Sequence, residues 1–180
     1  MQKKLIKLIL ACLISLCFVQ LSYSSELVAI NNFNVKEYLG TWYELARMPN
    51  SFEDNCITPI TANYSVNPDN NKQIIVVNQC NTRKDGANIA TGVADFVATE
   101  NIGKLKVNFL PKWLRWIPFT SGDYWVLNVN YTGIAIVGSP DHKYLWILSR
   151  SVNVKPQELN DAVNFAKLQG FDTSELIFNY

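Results

Sequence analysis

The chain has 180 residues, 16 lysines and arginines against 15 aspartates and glutamates, and 48% apolar residues. That is enough chain for one domain with a sizeable core. A near-neutral balance with no basic stripe excludes the electrostatic footprint of a nucleic-acid binder.

Lys3, Lys4 and Lys7 precede and punctuate an apolar run from Leu5 to Leu21, and small residues follow at Ser22, Ser24 and Ser25. A basic start, an apolar middle and a small-x-small exit describe a secretory signal over residues 1–24, cut after Ser24. The competing reading, an uncleaved anchor, is disfavoured because the run is short for a span and is broken by Lys7. Cys12 and Cys17 fall inside this segment. Ala11 before Cys12 suits lipidation, but cutting there leaves the apolar 13–21 stretch on the mature chain; Leu16 before Cys17 is too large for the usual lipoprotein signal. A lipid anchor through Cys12 or Cys17 is therefore the lesser alternative. The greater is an exported protein in the periplasm or at the outer-membrane periphery.

Residues 25–180 carry 13 basic and 15 acidic side chains and read as a single domain without repeat, linker or low-complexity tract. In an exported chain, the pair Cys56 and Cys80 favours one disulfide over metal binding. Closing a loop of about 25 residues contributes roughly 3 kcal/mol on a chain-entropy argument.

The first strand is expected over residues 41–48. Ile60, Ala62 and Tyr64 then share one parity, interleaved with Thr61, Asn63 and Ser65, and the turn Pro68-Asp69-Asn70-Asn71 leads into Ile74 and Val76. This is the alternation of half-buried strands. If Cys56 faces Cys80, antiparallel pairing sets Ile60 opposite Val76 and Ala62 opposite Ile74. Further strands are expected over 90–99, 104–110, 122–130, 133–138 and 143–150, which makes eight. Short connections alternating with longer ones describe an all-β, up-and-down antiparallel barrel, a closure that removes exposed edges and leaves room for one small ligand. One helix is expected over 156–169, with Pro156 in its first turn, Leu159, Val163 and Ala166 at helical spacing, and Gly170 as its stop. A short strand over 175–179 follows.

Three motifs punctuate this pattern in order: Gly40-Thr41-Trp42-Tyr43-Glu44, then Gly122-Asp123-Tyr124-Trp125, then Tyr144-Leu145-Trp146-Ile147-Leu148-Ser149-Arg150. At this spacing the trio resembles the signature blocks of the lipocalins, small β-barrels that carry apolar molecules in a central cup. The resemblance spans about Val35 to Tyr180 and is closest to the branch holding the bacterial outer-membrane lipocalins and apolipoprotein D. It implies that the C-terminal helix packs outside the barrel. It also implies that Trp42 and Arg150 form the barrel floor, the guanidinium lying across the indole from outside in a cation–π contact worth about 0.5–2 kcal/mol.

Interior parity, read with the resemblance, nominates Ile60, Ala62, Tyr64, Ile74, Val76, Ala94, Phe96, Val107, Phe109, Val126, Tyr144 and Trp146 as ligand-lining residues. Glu44 shares the parity of Trp42, and a buried carboxylate needs partners or a raised pKa. Tyr124 or another interior polar group is the expected partner; the sharper reading is that Glu44 keeps ligand headgroups at the mouth. Residues 110–119, with Trp113, Leu114, Trp116, Ile117 and Phe119 beside Lys112 and Arg115, join the fifth and sixth strands on the open rim. They either fold over the cup as a lid or dip into a membrane surface, with Trp113 and Trp116 at the headgroup level.

The implied function is non-enzymatic: binding, storage or transport of a fatty acid, lysophospholipid or similar lipid, by a monomer or homodimer, with no cofactor. His142, the single histidine, stands in a tight turn and is expected to be solvated. No nucleophile–base pairing and no metal-ligand cluster is visible. A lipid-modifying enzyme of lipocalin type, a tetrapyrrole carrier and a filled barrel acting as an interaction module are the competing readings.

Overall fold

Eight antiparallel strands close into a barrel in the computed structural model, which describes residues 26–84 and 86–179. The strands are β1 Gly40–Arg47, β2 Cys56–Val66, β3 Gln73–Thr82, β4 Gly86–Phe96, β5 Lys104–Asn108, β6 Gly122–Val129, β7 Ile134–Gly138 and β8 Leu145–Ser149. Each pairs with its neighbour in sequence, and β8 returns to β1 to complete the circle. A ninth strand, β9 Ile177–Phe178, adds to the outer half of β1 at Ala46 and Arg47. The signal reading over 1–24, with Cys12 and Cys17, lies outside the described residues. Among the described residues no helix is long and apolar enough to cross a membrane.

Cys56 and Cys80 form the disulfide, their Cα atoms 5.5 Å apart, but the register around it differs from expectation. Cys56 faces Thr82, and an irregularity between Ile57 and Thr61 shifts the pairing again, so that Tyr64 faces Val76 and Val66 faces Ile74. The expected pairs Ile60–Val76 and Ala62–Ile74 are thus incorrect: Ala62 lies between Trp42 of β1 and Asn78 of β3. The reason is twofold. The disulfide joins diagonal rather than facing residues, and a bulge absorbs the extra chain. Because the total displacement is even, every side chain keeps its face, which explains how a wrong register yields correct inward and outward sets.

Two apolar cores result. Inside the barrel, Trp42, Tyr64, Ile74, Val76, Ala94, Leu105, Val107, Val126 and Leu148 pack with Phe33 and Tyr38. Outside it, Leu45, Ala46, Leu127, Ile136, Leu145 and Ile147 meet the inner face of a helix, Leu159, Ala162 and Ala166.

Among the described residues there are two α-helices. The first, α1 Val35–Tyr38, crosses beneath the barrel and was not expected. Its signal was Asn34, whose Oδ1 accepts from the Lys36 amide as an N-cap, with Glu37 three residues on. The second, α2 Pro156–Leu168, begins on Pro156. It ends because Gly170 adopts a positive φ of 93°, letting its amide reach the Lys167 carbonyl and the Phe171 amide reach that of Ala166. That pair of bonds is a Schellman stop. Phe171 then packs onto β7 where a Cβ on Gly138 would stand only 2.5 Å from the ring. His142 joins this corner rather than facing water: its Nε2 is 3.0 Å from the Gln169 carbonyl and its ring is 4.8 Å from that of Phe171. The free carbonyls at the end of α2 supply the partner that a turn position alone does not reveal.

Candidate functional site: the barrel interior

The closed end is built first from Trp42. Its side chain is fully buried, Nε1 donates to the Tyr38 carbonyl at 2.8 Å, and the Arg150 guanidinium lies 3.8 Å over the ring. Arg150 also ties the floor together, donating to the carbonyls of Glu37, Leu39, Thr41 and Tyr131. A planar fork with several donors suits this role as an ammonium does not.

Above the floor sit three tyrosines. The Tyr124 hydroxyl shares hydrogen bonds of 2.7 Å with those of Tyr38 and Tyr64. Burial holds all three as neutral phenols, pushing Tyr64 up to about 12 and the other two well above 10. Between these rings, Phe33, Ile74, Ala94, Leu105 and Val107 there remains a void of about 10 Å³, room for one water at most. The lower barrel is therefore filled by its own side chains.

This divides the nominated residues. Tyr64, Ile74, Val76, Ala94, Val107 and Val126 are buried in the packed interior, and Phe96 joins them beside Phe33, with ring centroids 6.5 Å apart. Ile60 is buried. Ala62, Tyr144 and Trp146 are only half-buried, and Phe109 is exposed while lying against Gly92. From Gly86 to Ala90, β4 is exposed on both faces, so the wall opposite the packed floor opens to solvent.

Near the mouth stands a buried ionic cluster. Glu44 and Arg47 on β1 pair at 3.0 Å, and Arg47 Nε lies 3.0 Å from Glu53 Oε2 on the 48–55 loop. That second contact is close but poorly aligned as a hydrogen bond; the directional bond to the loop is Arg47 Nη2 to the Glu53 carbonyl at 3.1 Å. Trp146 Nε1 donates to Glu53 Oε1 at 3.2 Å, and Asn179 Nδ2 to Glu44 Oε1 at 2.6 Å. Of the expected partners, Tyr124 or another polar group, it is other polar groups, Arg47 and Asn179, that satisfy Glu44, because the three interior phenols satisfy one another. Burial, reinforced by the nearby Glu53 charge and only partly opposed by Arg47, pushes Glu44 up to about 8.

The 48–55 loop is what the sequence did not reveal as a cover. Phe52 rests on Tyr144 at 5.6 Å, and Tyr144 stacks on Trp146 at 5.8 Å with an 11° interplanar angle. Spacing within the chain carries no signal for this, since the partners are some 90 residues apart.

Residues 110–119 behave differently. A 3-10 turn, Lys112–Leu114, and bonds from Arg115 Nε to the Leu110 carbonyl and from Thr120 Oγ1 to the Ile117 carbonyl hold the segment. It bends so that Lys112 comes within 4.0 Å of Asp69 in the β2–β3 turn. Trp113 and Trp116 are 73% and 78% exposed and Phe119 entirely so, which removes the lid reading for these rings.

Residues 33–180 match the family described as a lipocalin-like domain. Temperature-induced lipocalin-1 of Arabidopsis thaliana is 34% identical over 154 residues, covering 84% of this chain and 81% of the relative. The outer membrane lipoprotein Blc of Vibrio cholerae serotype O1 is 37% identical over 153 residues, 83% of each chain. Insecticyanin from the tobacco hornworm Manduca sexta shares the fold, with a TM-score of 0.67 over 88% of this chain and 86% of that one at 23% identity. A barrel closed on the Trp42–Arg150 floor, matched over nearly its whole described length, makes this chain a member of the lipocalin family.

Proposed function

We propose that this chain binds and carries a single-chain amphiphile, a fatty acid, lysophospholipid or similar lipid, in the cell envelope, without catalysing its turnover. The observation that carries the reading is a barrel sealed and packed at one end, with half-buried Ala62, Tyr144 and Trp146 on an inner wall that opens at the other. Because the lower half is filled, the chain of the ligand occupies the upper cup and its headgroup stays at the mouth. Each buried methylene contributes about 0.8 kcal/mol, so affinity rises with chain length until the cup is full. Relatives named as outer membrane lipoproteins support an envelope location. Native mass spectrometry tests the reading: one amphiphile per chain is expected after gentle purification.

Delivery to or from a bilayer is assigned to residues 110–119, whose Trp113, Trp116 and Phe119 project into solvent beside Lys112. Indoles with flanking cations settle at the headgroup level of a membrane. Trp113→Asp combined with Trp116→Asp is expected to abolish co-sedimentation with anionic liposomes while leaving the melting temperature within a few degrees. Unchanged co-sedimentation refutes this role without touching the cup.

A further inference from the structure

The mouth of the barrel holds an arrangement that a purely apolar cup does not require. Phe52, Tyr144 and Trp146 form a continuous run of rings from the 48–55 loop into the inner wall, and the Glu53 carboxylate sits at the indole end of it, 3.2 Å from Trp146 Nε1. Phe52 is 66% exposed and the other two rings are half-buried, so the run is reachable from the entrance. Aromatic faces carry negative potential and attract cations, most strongly when a carboxylate stands beside them. They repel anions for the same reason.

Two carboxylates, Glu44 and Glu53, converge on one guanidinium, Arg47. Further out, Asp54 on the 48–55 loop is exposed, Lys143 is engaged by Asp141 at 3.3 Å, and Arg83 and Lys84 are exposed just beyond Thr82, the partner of Cys56. Near neutral pH Glu44 keeps its proton, its pKa raised to about 8 first by burial and then by the Glu53 charge, so Arg47 and Glu53 balance each other. An arriving cation meets ring faces beside a carboxylate. An arriving anion has to dislodge Glu53 from Arg47.

We infer that Phe52, Tyr144, Trp146 and Glu53 form an ammonium-binding subsite that takes the cationic head of an amphiphile whose chain lies in the cup. This rests on the carrier reading above and narrows it to headgroup chemistry: a quaternary or primary ammonium rather than a bare carboxylate or sulfate.

Three amphiphiles with the same ten-carbon chain separate the two claims: decyltrimethylammonium, decyl sulfate and neutral decanol, each titrated below its micelle concentration by calorimetry. The expected result is that the ammonium binds at least tenfold more tightly than the sulfate, with decanol between them. In Glu53→Gln, and separately in Phe52→Ala with Tyr144→Leu, the ammonium-to-sulfate ratio should fall by fivefold or more while decanol still binds. The ratio is the readout, because loosening of the 48–55 loop alters all three affinities together and leaves it unchanged. Binding of decanol with equal affinity for the two charged heads, a sulfate preference, or a ratio unmoved in both variants overturns the subsite and spares the cup. Failure of all three to bind overturns the carrier reading itself.

Discussion

Trp42→Ala is expected to destabilise the protein by about 3–5 kcal/mol, the range for removing a large aromatic from a core that cannot collapse around the space. Three features place it in that range. The indole is fully buried, its Nε1 leaves the Tyr38 carbonyl without a partner when removed, and Arg150 loses the ring it covers at 3.8 Å. The packed tyrosines above leave only a water-sized void, so they have little freedom to move down. Arg150→Lys should cost less, about 1–2 kcal/mol, yet not be neutral: a single ammonium cannot serve the carbonyls of Glu37, Leu39, Thr41 and Tyr131 together. Urea unfolding followed by far-UV circular dichroism measures both. A Trp42→Ala loss below 1 kcal/mol contradicts the floor as described.

The second large effect concerns pH. Glu44 has its pKa raised in the folded state from an ordinary 4.5 to about 8, first by burial and then by the Glu53 charge. Between those values the folded chain holds a proton that the unfolded chain has released. Stability from this group is therefore fully present below about pH 4.5 and is lost as pH rises through 8. The loss should amount to roughly 1–3 kcal/mol, the equivalent of one to two pKa units after allowance for compensation by Arg47. Glu44→Gln keeps the shape and an acceptor for Arg47 and Asn179 but cannot ionise. Denaturant unfolding at pH 5, 7 and 9 should show the wild-type chain losing stability relative to Glu44→Gln from pH 5 onward, most of it by pH 7, and levelling off above about pH 8. Parallel profiles across that range contradict the assignment of the titration to Glu44.

The closed barrel was legible because its determinants are local. Alternating parity in Ile60, Ala62 and Tyr64 and the Pro156 start and Gly170 stop of α2 act within a few residues, and each of the three motifs is itself a short run on one strand, β1, β6 or β8. The register of β2 on β3 was not legible. A disulfide constrains distance, not facing, and the shift between Ile57 and Thr61 leaves parity unchanged. The filling of the lower cup escaped for a different reason: inward parity says where a side chain points, not whether Tyr38, Tyr64 and Tyr124 meet across the axis. The mouth was the least readable part. Arg47 and Glu53 lie close in sequence, but their joint contact with Trp146 depends on how the 48–55 loop folds back over the wall. The partner of Glu44 was missed likewise, since Asn179 arrives from the far end of the chain.

The proposed function puts an apolar chain above a solid floor, inside the barrel. Ala62 is half-buried one inward step from the packed Tyr64 toward the open end of β2, so Ala62→Trp projects an indole into the space directly above the filled part of the barrel. Native mass spectrometry of the wild-type chain and of this variant, both offered the same lysophospholipid and both shown to be folded, is the most direct measurement. One lipid per wild-type chain and at least a tenfold loss of occupancy in the variant are expected. A wild-type chain that takes up no lipid, or a variant that retains it undiminished, contradicts the proposed function.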